Sequence, residues 1–150
     1  MIIKKLDHIG IAVKDLESSL EKWAEAFAFE KSDPESLPDR GVRVAYLFPK
    51  KGPTIELVTP LGEESPVKKF LESRGEGIHH LCFRVKNLKK LMAHFQERGI
   101  SFLTEEPVRG AGGSRIIFIH PKFFNGVLIE FKEKEDNKEE IIGKEEREKE

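Results

Sequence analysis

Two histidines and two glutamates recur at matching distances along the chain. The segment around His8, residues 6–16, reads LDHIGIAVKDL and returns 72 residues later around His80 as IHHLCFRVKNL. Glu56 follows the first histidine by 48 residues, and Glu130 follows the second by 50. A repeat of this kind predicts two similar half-domains, each of which contributes one histidine and one carboxylate. Imidazole nitrogens and carboxylate oxygens together are suitable ligands for Zn²⁺, Co²⁺, Ni²⁺, Mn²⁺ or Fe²⁺.

Strand alternation predicts that these four side chains share one face of a sheet. Successive side chains of a strand point to opposite faces. Ile9 and Ile11 therefore oppose His8, whereas Gly10 shares its face, and the strands of the other three polar residues follow the same rule. Each strand then has one apolar face for packing and one polar face with room for a ligand. By the same alternation His79 faces away from the site, as a structural or supporting residue.

The composition favours a globular protein without an extended charged surface. The chain has 150 residues, of which 35% are charged and 38% hydrophobic, and its net charge of -1 does not suggest a nucleic-acid or membrane partner. Cys82 is the only cysteine, which excludes an intrachain disulfide and a cysteine-based zinc site. The amino-terminal residues lack a long apolar run, so we predict a cytoplasmic protein.

The hydrophobic pattern predicts the order βαβββ, a linking helix, and βαβββ again. Asp15 is the expected N-cap of the first helix, and Ser65 that of the linking helix. We predict helices over Leu16–Phe27, 63–73 and 88–98, and strands near 6–13, 29–32, 42–48, 53–59, 78–85, 101–105, 115–120 and 126–132.

We predict a single domain over residues 1–132, with modules at about 5–60 and 77–132. The composition changes at its end, where lysines and glutamates dominate residues 133–150. A solvated, flexible tail is the expected structure of this segment. The alternative is a helix that docks through Ile141 and Ile142.

Several motifs resemble the methylmalonyl-CoA epimerase family. They are Asp-His-Ile-Gly-Ile-Ala-Val at 7–13, Glu-Ser-Pro-Val at 64–67, Arg-Gly-Glu-Gly-Ile-His-His-Leu at 74–81, Gly-Ala-Gly-Gly-Ser-Arg at 110–115, His-Pro-Lys at 120–122 and Gly-Val-Leu-Ile-Glu at 126–130. The wider group is the vicinal oxygen chelate superfamily, which includes glyoxalase I and the extradiol dioxygenases. The resemblance covers roughly residues 5 to 132.

The resemblance implies an α+β fold in which two paired βαβββ modules form a curved mixed β-sheet around one divalent metal ion, usually in a homodimer. Its metal ligands fall on His8, Glu56, His80 and Glu130. We expect Co²⁺, with Zn²⁺, Ni²⁺ and Mn²⁺ as alternatives. The implied activity is that of an isomerase acting on an acyl-CoA. It interconverts (R)- and (S)-methylmalonyl-CoA by moving the proton on the carbon α to the thioester, through a metal-stabilised enolate.

One position departs from the family pattern. In some epimerases a glutamate that acts as the second catalytic base stands where this chain has Val44. Valine cannot transfer a proton. We therefore hypothesise that Glu130 is the main base and that Glu56, directly or through water, serves the other face of the substrate carbon.

A glycine-rich loop is the expected substrate-binding segment. Its residues Gly112, Gly113, Ser114 and Arg115, together with Lys122, are the candidates for contact with the CoA phosphates or pantetheine. The alternative is a turn between strands that needs a positive φ.

Three other functions use the same fold. Glyoxalase I would isomerise a glutathione hemithioacetal with a nearly identical ligand set. An extradiol dioxygenase would use His8, His80 and Glu130 as an iron triad, although Glu56 would then fill a position that oxygen needs. A metal-free binding protein is the remaining alternative.

Overall fold

The computed structural model describes residues 2–133, in which one mixed sheet is flanked by α-helices. The strands are β1 (Ile3–Ala12), β2 (Glu30–Lys31), β3 (Glu35–Leu37), β4 (Val42–Phe48), β5 (Thr54–Pro60), β6 (Gly77–Val85), β7 (Val108–Arg109), β8 (Arg115–Ile119) and β9 (Ile129–Glu133). The helices are α1 (Leu16–Phe27), α2 (Pro66–Arg74) and α3 (Leu88–Gln96). None of the helices in this part of the chain is long and apolar enough to cross a membrane.

The two modules join within one chain along β1 and β6. The strand order is β2-β4-β5-β1-β6-β9-β8-β7, and β3 pairs with β4. Strand β1 runs parallel to β5, and β6 runs parallel to β9, whereas β1 and β6 are antiparallel to each other. The halves are therefore related by a pseudo-twofold axis between the two central strands. This architecture confirms the predicted α+β fold with two paired modules in a mixed sheet.

The apolar face of the sheet packs under α1 and α3, as strand alternation predicts. In the first module Leu16 and Leu20 of α1 are buried against Leu57 of β5. In the second module the side chains of α3 are buried against β8 and β9, through Leu91 and Ile117 among others. The opposite face of the sheet carries the polar cluster, and α2 packs on that face through Val67, against Val44 and Val58.

The helix caps are those predicted from the sequence. The Asp15 side chain accepts a hydrogen bond from the backbone N–H of Ser18 at 3.0 Å, and α1 has the predicted bounds. Ser65 accepts one from the N–H of Val67, with Pro66 in the first turn of α2. These local signals are reliable because they depend on residues only a few positions apart.

Three elements differ from the predictions in kind, and several others differ by two or three residues at their ends, among them α2, α3, β1 and β9. The prediction of a strand over 101–105 is wrong, because this segment makes only an isolated bridge between Phe102 and Ile119. Thr104 turns the chain there by a hydrogen bond from its hydroxyl to the carbonyl of Glu106. Strands β3 and β7 are too short for a periodic pattern to reveal. The charged tail from residue 134 onward lies outside the described residues.

We expect Leu91→Ala to destabilise the protein by about 2–5 kcal/mol, because it removes a side chain that is 1% exposed beneath the sheet. Urea denaturation followed by circular dichroism measures the change. Leu103→Ala is the matched control, since that leucine is 52% exposed and its loss should change the free energy of unfolding by less than about 0.5 kcal/mol. Equal effects of the two variants would contradict the packing described here.

Candidate metal centre

The four side chains predicted from the repeat converge on one point. The Nε2 atoms of His8 and His80 are 3.1 Å apart. Oε1 of Glu130 lies 3.0 Å from Nε2 of His8, and Oε1 of Glu56 lies 3.3 Å from Nε2 of His80. All four residues are buried, with at most 5% of their surface exposed. The structure thus brings together residues from β1, β5, β6 and β9.

Close packing of β1 against β6 makes room for the two imidazoles. Gly10 is directly opposite His80 in the register of the two strands, and Cys82 is opposite His8. A Cβ atom at Gly10 would overlap the ring of His80, so the glycine hydrogen is what admits this side chain. Cys82 is fully buried, and its thiol is small enough to leave His8 in place.

A β-bulge places a supporting side chain behind each histidine. The register between β1 and β6 shifts once at Asp7 and once at His79, so each of these residues is the extra one in its strand. Asp7 Oδ2 then lies 2.9 Å from Nδ1 of His8, and His79 Nδ1 lies 2.9 Å from Nδ1 of His80. The prediction that His79 faces away from the site is wrong, because simple alternation does not hold across a bulge.

These contacts orient both histidines. Burial and the neighbouring His80 lower the pKa of His79 to about 4, so its ring is neutral, and its Nδ1 shares one hydrogen bond with Nδ1 of His80. The carboxylate of Asp7 accepts a hydrogen bond from Nδ1 of His8, and the Nε2 atoms of both histidines face the cluster. A carboxylate or neutral acceptor behind a histidine commonly orients it as a metal ligand.

Asp7 carries a full negative charge behind His8. Burial by itself raises the pKa of Asp7, but the hydrogen bond with His8 and the charges of Lys132 and Arg84 lower it to about 2. Lys132 Nζ is 3.6 Å and Arg84 Nε is 3.8 Å from the Asp7 carboxylate. Because His79 is neutral, the two ligand histidines have electronically unequal partners.

Tyr46 is a site residue that the sequence reasoning missed. Its hydroxyl donates a hydrogen bond to Oε2 of Glu56 at 3.0 Å, from the directly opposite position on β4. Burial and the negative charge of Glu56 raise the pKa of Tyr46, which keeps the phenol protonated as a donor. The only available signal was the register of β4 against β5, which a single sequence does not display.

Protonation of His8 partly compensates the buried negative charges of the cluster. Burial alone lowers the pKa of His8, but hydrogen bonds with Asp7 and Glu130 and the charge of Glu56 raise it to about 10. The same contacts, with those of His80, lower the pKa values of Glu56 and Glu130 against the effect of burial. Without a cation, the cluster therefore holds two carboxylates and an imidazolium.

The donor set fits a divalent cation. Two ligand atoms about 2.1 Å from one ion lie about 3.0 Å apart at right angles and about 3.4 Å apart in tetrahedral geometry. The separations between histidine nitrogens and carboxylate oxygens here range from 3.0 to 3.5 Å. Oε1 of Glu130 is buried and, within the described residues, has no hydrogen bond of good geometry although His8 Nε2 is close. Such an atom is suited to a metal ion.

Two groups of described residues have ligand atoms within 4.8 Å of one another. One comprises His8, Glu56 and His80, and the other comprises Asp7, His8 and Cys82. The second group is the poorer candidate, because Asp7 is engaged with Nδ1 of His8 and burial raises the pKa of the Cys82 thiol. The first group, with Glu130 beside it, is the set predicted from the repeat.

Comparison with known proteins agrees with this geometry. The family model of the Glyoxalase/Bleomycin resistance protein/Dioxygenase superfamily matches residues 7–118. The chain belongs to this superfamily. It is 38% identical over 134 residues to the ethylmalonyl-CoA/methylmalonyl-CoA epimerase of Cereibacter sphaeroides, with 88% of this chain and 99% of the relative covered.

Solved structures of the superfamily share the fold. The crystal structure of methylmalonyl-CoA epimerase from Mycobacterium tuberculosis has a TM-score of 0.86 and 38% identity, covering 90% of this chain and 91% of the other. A methylmalonyl-CoA epimerase in complex with methylmalonyl-CoA and NH₄⁺ has a TM-score of 0.80 and 37% identity, covering 87% and 94%. A lactoylglutathione lyase of Schizosaccharomyces pombe is 27% identical over 117 residues, and only 38% of its length is covered.

Apolar side chains border the polar cluster at Val44, the position where some epimerases have a second catalytic base. Val44 is 1% exposed and packs with Ala12, Val58 and Ala111 on the same face of the sheet as the metal ligands. Ala111 belongs to the glycine-rich loop, so this loop packs on the face of the sheet that carries the polar cluster. The valine side chain at this position cannot transfer a proton.

The predicted substrate-binding residues are only partly brought to the cluster. Gly112 and Gly113 have positive φ values of 64° and 76°, with open space around them, and the buried Ser114 hydroxyl donates to the carbonyl of Ala111 at 2.7 Å. Arg115 shares a face of β8 with Ile117, which packs against α3, so its side chain leaves the sheet away from the metal ligands.

Lys122 lies in the short 3₁₀ turn Pro121–Phe123, with its Nζ 5.1 Å from the ring centre of Phe123. Contact of the loop residues and Lys122 with a substrate stays a prediction.

Gly10→Ala should abolish tight metal binding, because the added methyl group would displace the imidazole of His80 from the cluster. Isothermal titration with Co²⁺ measures the affinity, and we expect a loss of at least about 100-fold. Circular dichroism and thermal unfolding show whether the variant retains its fold. A folded variant with unchanged Co²⁺ affinity would contradict the assigned role of Gly10.

Metal binding should release a proton. His8 is charged in the metal-free protein below its pKa of about 10, and a metal ion needs its neutral ring. We expect about one proton to be released per Co²⁺ at pH 8, and the affinity to rise with pH towards that pKa. Titration calorimetry in two buffers of different ionisation enthalpy counts the protons. Asp7→Asn should reduce the number, because the pKa of His8 falls when its carboxylate partner is lost.

Proposed function

We propose that this protein is a metal-dependent methylmalonyl-CoA epimerase. The observation that carries the proposal is the pair of buried, ionised carboxylates, Glu56 and Glu130, beside two histidines on the scaffold of solved epimerases. Epimerisation removes the proton from the carbon α to the thioester and returns a proton to the opposite face. Two carboxylates from opposite modules are suited to that chemistry.

His8, Glu56, His80 and Glu130 are the residues that would hold the ion. A divalent cation there supplies a Lewis acid that stabilises the negative charge developing when a thioester loses its α-proton. Co²⁺ stays our expectation among the ions that this donor set accepts, with Zn²⁺, Ni²⁺ and Mn²⁺ as alternatives. A homodimer, an acyl-CoA ligand and a cytoplasmic location likewise belong to the proposal.

Glu130 is the proposed main base. It is ionised, and its Oε1 has no hydrogen bond of good geometry within the described part of the chain, although His8 Nε2 lies 3.0 Å away. An ionised carboxylate is a proton acceptor. Burial excludes water, which would otherwise solvate the carboxylate and weaken its interaction with the substrate. The Arg40 guanidinium, 3.9 Å from Oε2, forms an ion pair with this carboxylate and helps to lower its pKa.

Glu56 is the proposed group for the other face. It comes from β5, on the opposite side of the histidine pair from β9, and Tyr46 holds its Oε2 through the phenol hydroxyl. Because Val44 provides no acid or base, the carboxylate of Glu56 is the one that the repeat supplies for this task. Its partner Tyr46 fixes the orientation that proton transfer requires.

The other functions considered have weaker support. The match with a lactoylglutathione lyase is at 27% identity, against 38% for an epimerase over nearly its full length. Glu56 adds a fourth protein ligand beside the three of a dioxygenase triad, which leaves fewer positions for oxygen. An assay of methylglyoxal plus glutathione distinguishes the lyase directly.

Proton exchange tests the proposal. We expect the Co²⁺-loaded protein in D₂O to exchange the α-proton of methylmalonyl-CoA, as followed by NMR, and to leave the glutathione hemithioacetal unchanged. Glu130→Gln should reduce exchange by at least about 100-fold, because the amide cannot accept the proton. Glu25→Gln on the exposed surface of α1 is the control and should exchange at the normal rate. Full exchange by Glu130→Gln with metal retained would refute the assignment of the base.

A further inference from the structure

One cationic side chain from a loop of the first module lies beside Glu130 of the second module. Arg40 ends the 3₁₀ turn Pro38–Arg40, which connects β3 and β4. Its guanidinium lies over the ring of Phe118, 5.4 Å from the ring centre, and its Nη2 is 3.9 Å from Oε2 of Glu130. Phe118 in turn stands edge-on to the imidazole of His80. Arg40 therefore borders the cluster itself.

The guanidinium is held in place but keeps its hydrogen-bonding capacity. A separation of 3.9 Å from Glu130 is an ion pair, and it is too long for a hydrogen bond. The part of the chain that the structure describes provides Arg40 with no side-chain hydrogen bond, and one fifth of its side chain is exposed. The planar group stacked on an aromatic ring thus retains N–H donors that a ligand can use.

The carboxylates near Arg40 would be offset once a cation is bound. The two positive charges of a divalent ion would offset the two negative charges of the Glu56 and Glu130 carboxylates. Behind the site, Asp7 has Lys132 and Arg84 as its partners. At the cluster itself, Arg40 is a positive charge whose ion pair with Glu130 is too long for a hydrogen bond. A ligand with one negative charge close to the reacting carbon would neutralise it.

We propose that Arg40 is a specificity-determining residue that selects thioesters bearing a free carboxylate beside the reacting carbon. This inference rests on the proposed function, whose substrate is a malonyl-type thioester with such a group. Arginine matches a carboxylate with two parallel N–H donors, which a lysine cannot reproduce. A thioester without the carboxylate leaves the guanidinium partly desolvated and unpaired, so the site discriminates against it.

The test compares binding of two thioesters that differ only in the carboxylate. Isothermal titration of the Co²⁺-loaded protein gives the Kd of methylmalonyl-CoA and of propionyl-CoA. In the native protein we expect methylmalonyl-CoA to bind at least about tenfold more tightly. Arg40→Met should weaken its binding by about 10- to 100-fold and leave propionyl-CoA within about threefold of its native Kd. Arg40→Lys should fall between the two.

Arg43→Met is the matched control. That arginine is three residues away but pairs with Glu17 of α1 on the outer face, so its loss should leave both Kd values unchanged. Titration with Co²⁺ alone checks that Arg40→Met still binds the metal within about threefold of the native affinity. The same preference for methylmalonyl-CoA in Arg40→Met as in the native protein would overturn the inference. Absence of α-proton exchange by the native protein would instead refute the proposed function.

Discussion

The close antiparallel contact between β1 and β6 is the constraint on which the rest of the structure depends. It places His8 and His80 within 3.1 Å of each other, and it tolerates only glycine at position 10, where a larger residue would occupy the space of an imidazole. The parallel strands β5 and β9 can pair only on the outer sides of this central pair. Each then delivers its glutamate to the same point, because register within a sheet is fixed by backbone hydrogen bonds.

Burial makes the cluster costly unless its charges are compensated. Two carboxylates in a site with at most 5% exposure require positive charge nearby, which a proton on His8 provides without metal and a divalent ion would provide with it. The bulges at Asp7 and His79 support the cluster in a different way, because they place side chains that orient the two histidines from behind. A protein that folded without these supports would hold the ligands less firmly and select among metals less well.

The repeat accounts for the scaffold and the four candidate ligands. The side chains that make the two halves of the cluster different are not part of the repeat. Tyr46 holds Glu56, and the structure shows no corresponding contact to Glu130 among the described residues; Arg40 instead approaches Glu130 alone. Asp7 is charged, whereas its counterpart His79 is neutral. A duplicated fold thus produces a symmetric set of four candidate metal ligands, and the side chains around it make the two sides of the cluster chemically different.

The sequence by itself determined the half-domains, the four polar residues and the face they share, because these follow from repeats and from alternation between neighbouring positions. It also determined α1 and its cap, where the signals lie within one helical turn. Only the tertiary structure decided the orientation of His79, since one inserted residue reverses alternation locally. It also revealed Tyr46 and Arg40, whose roles depend on which distant strands become neighbours. Local patterns can be recognised from neighbouring residues in the sequence, whereas register and packing between remote segments arise only when the sheet forms.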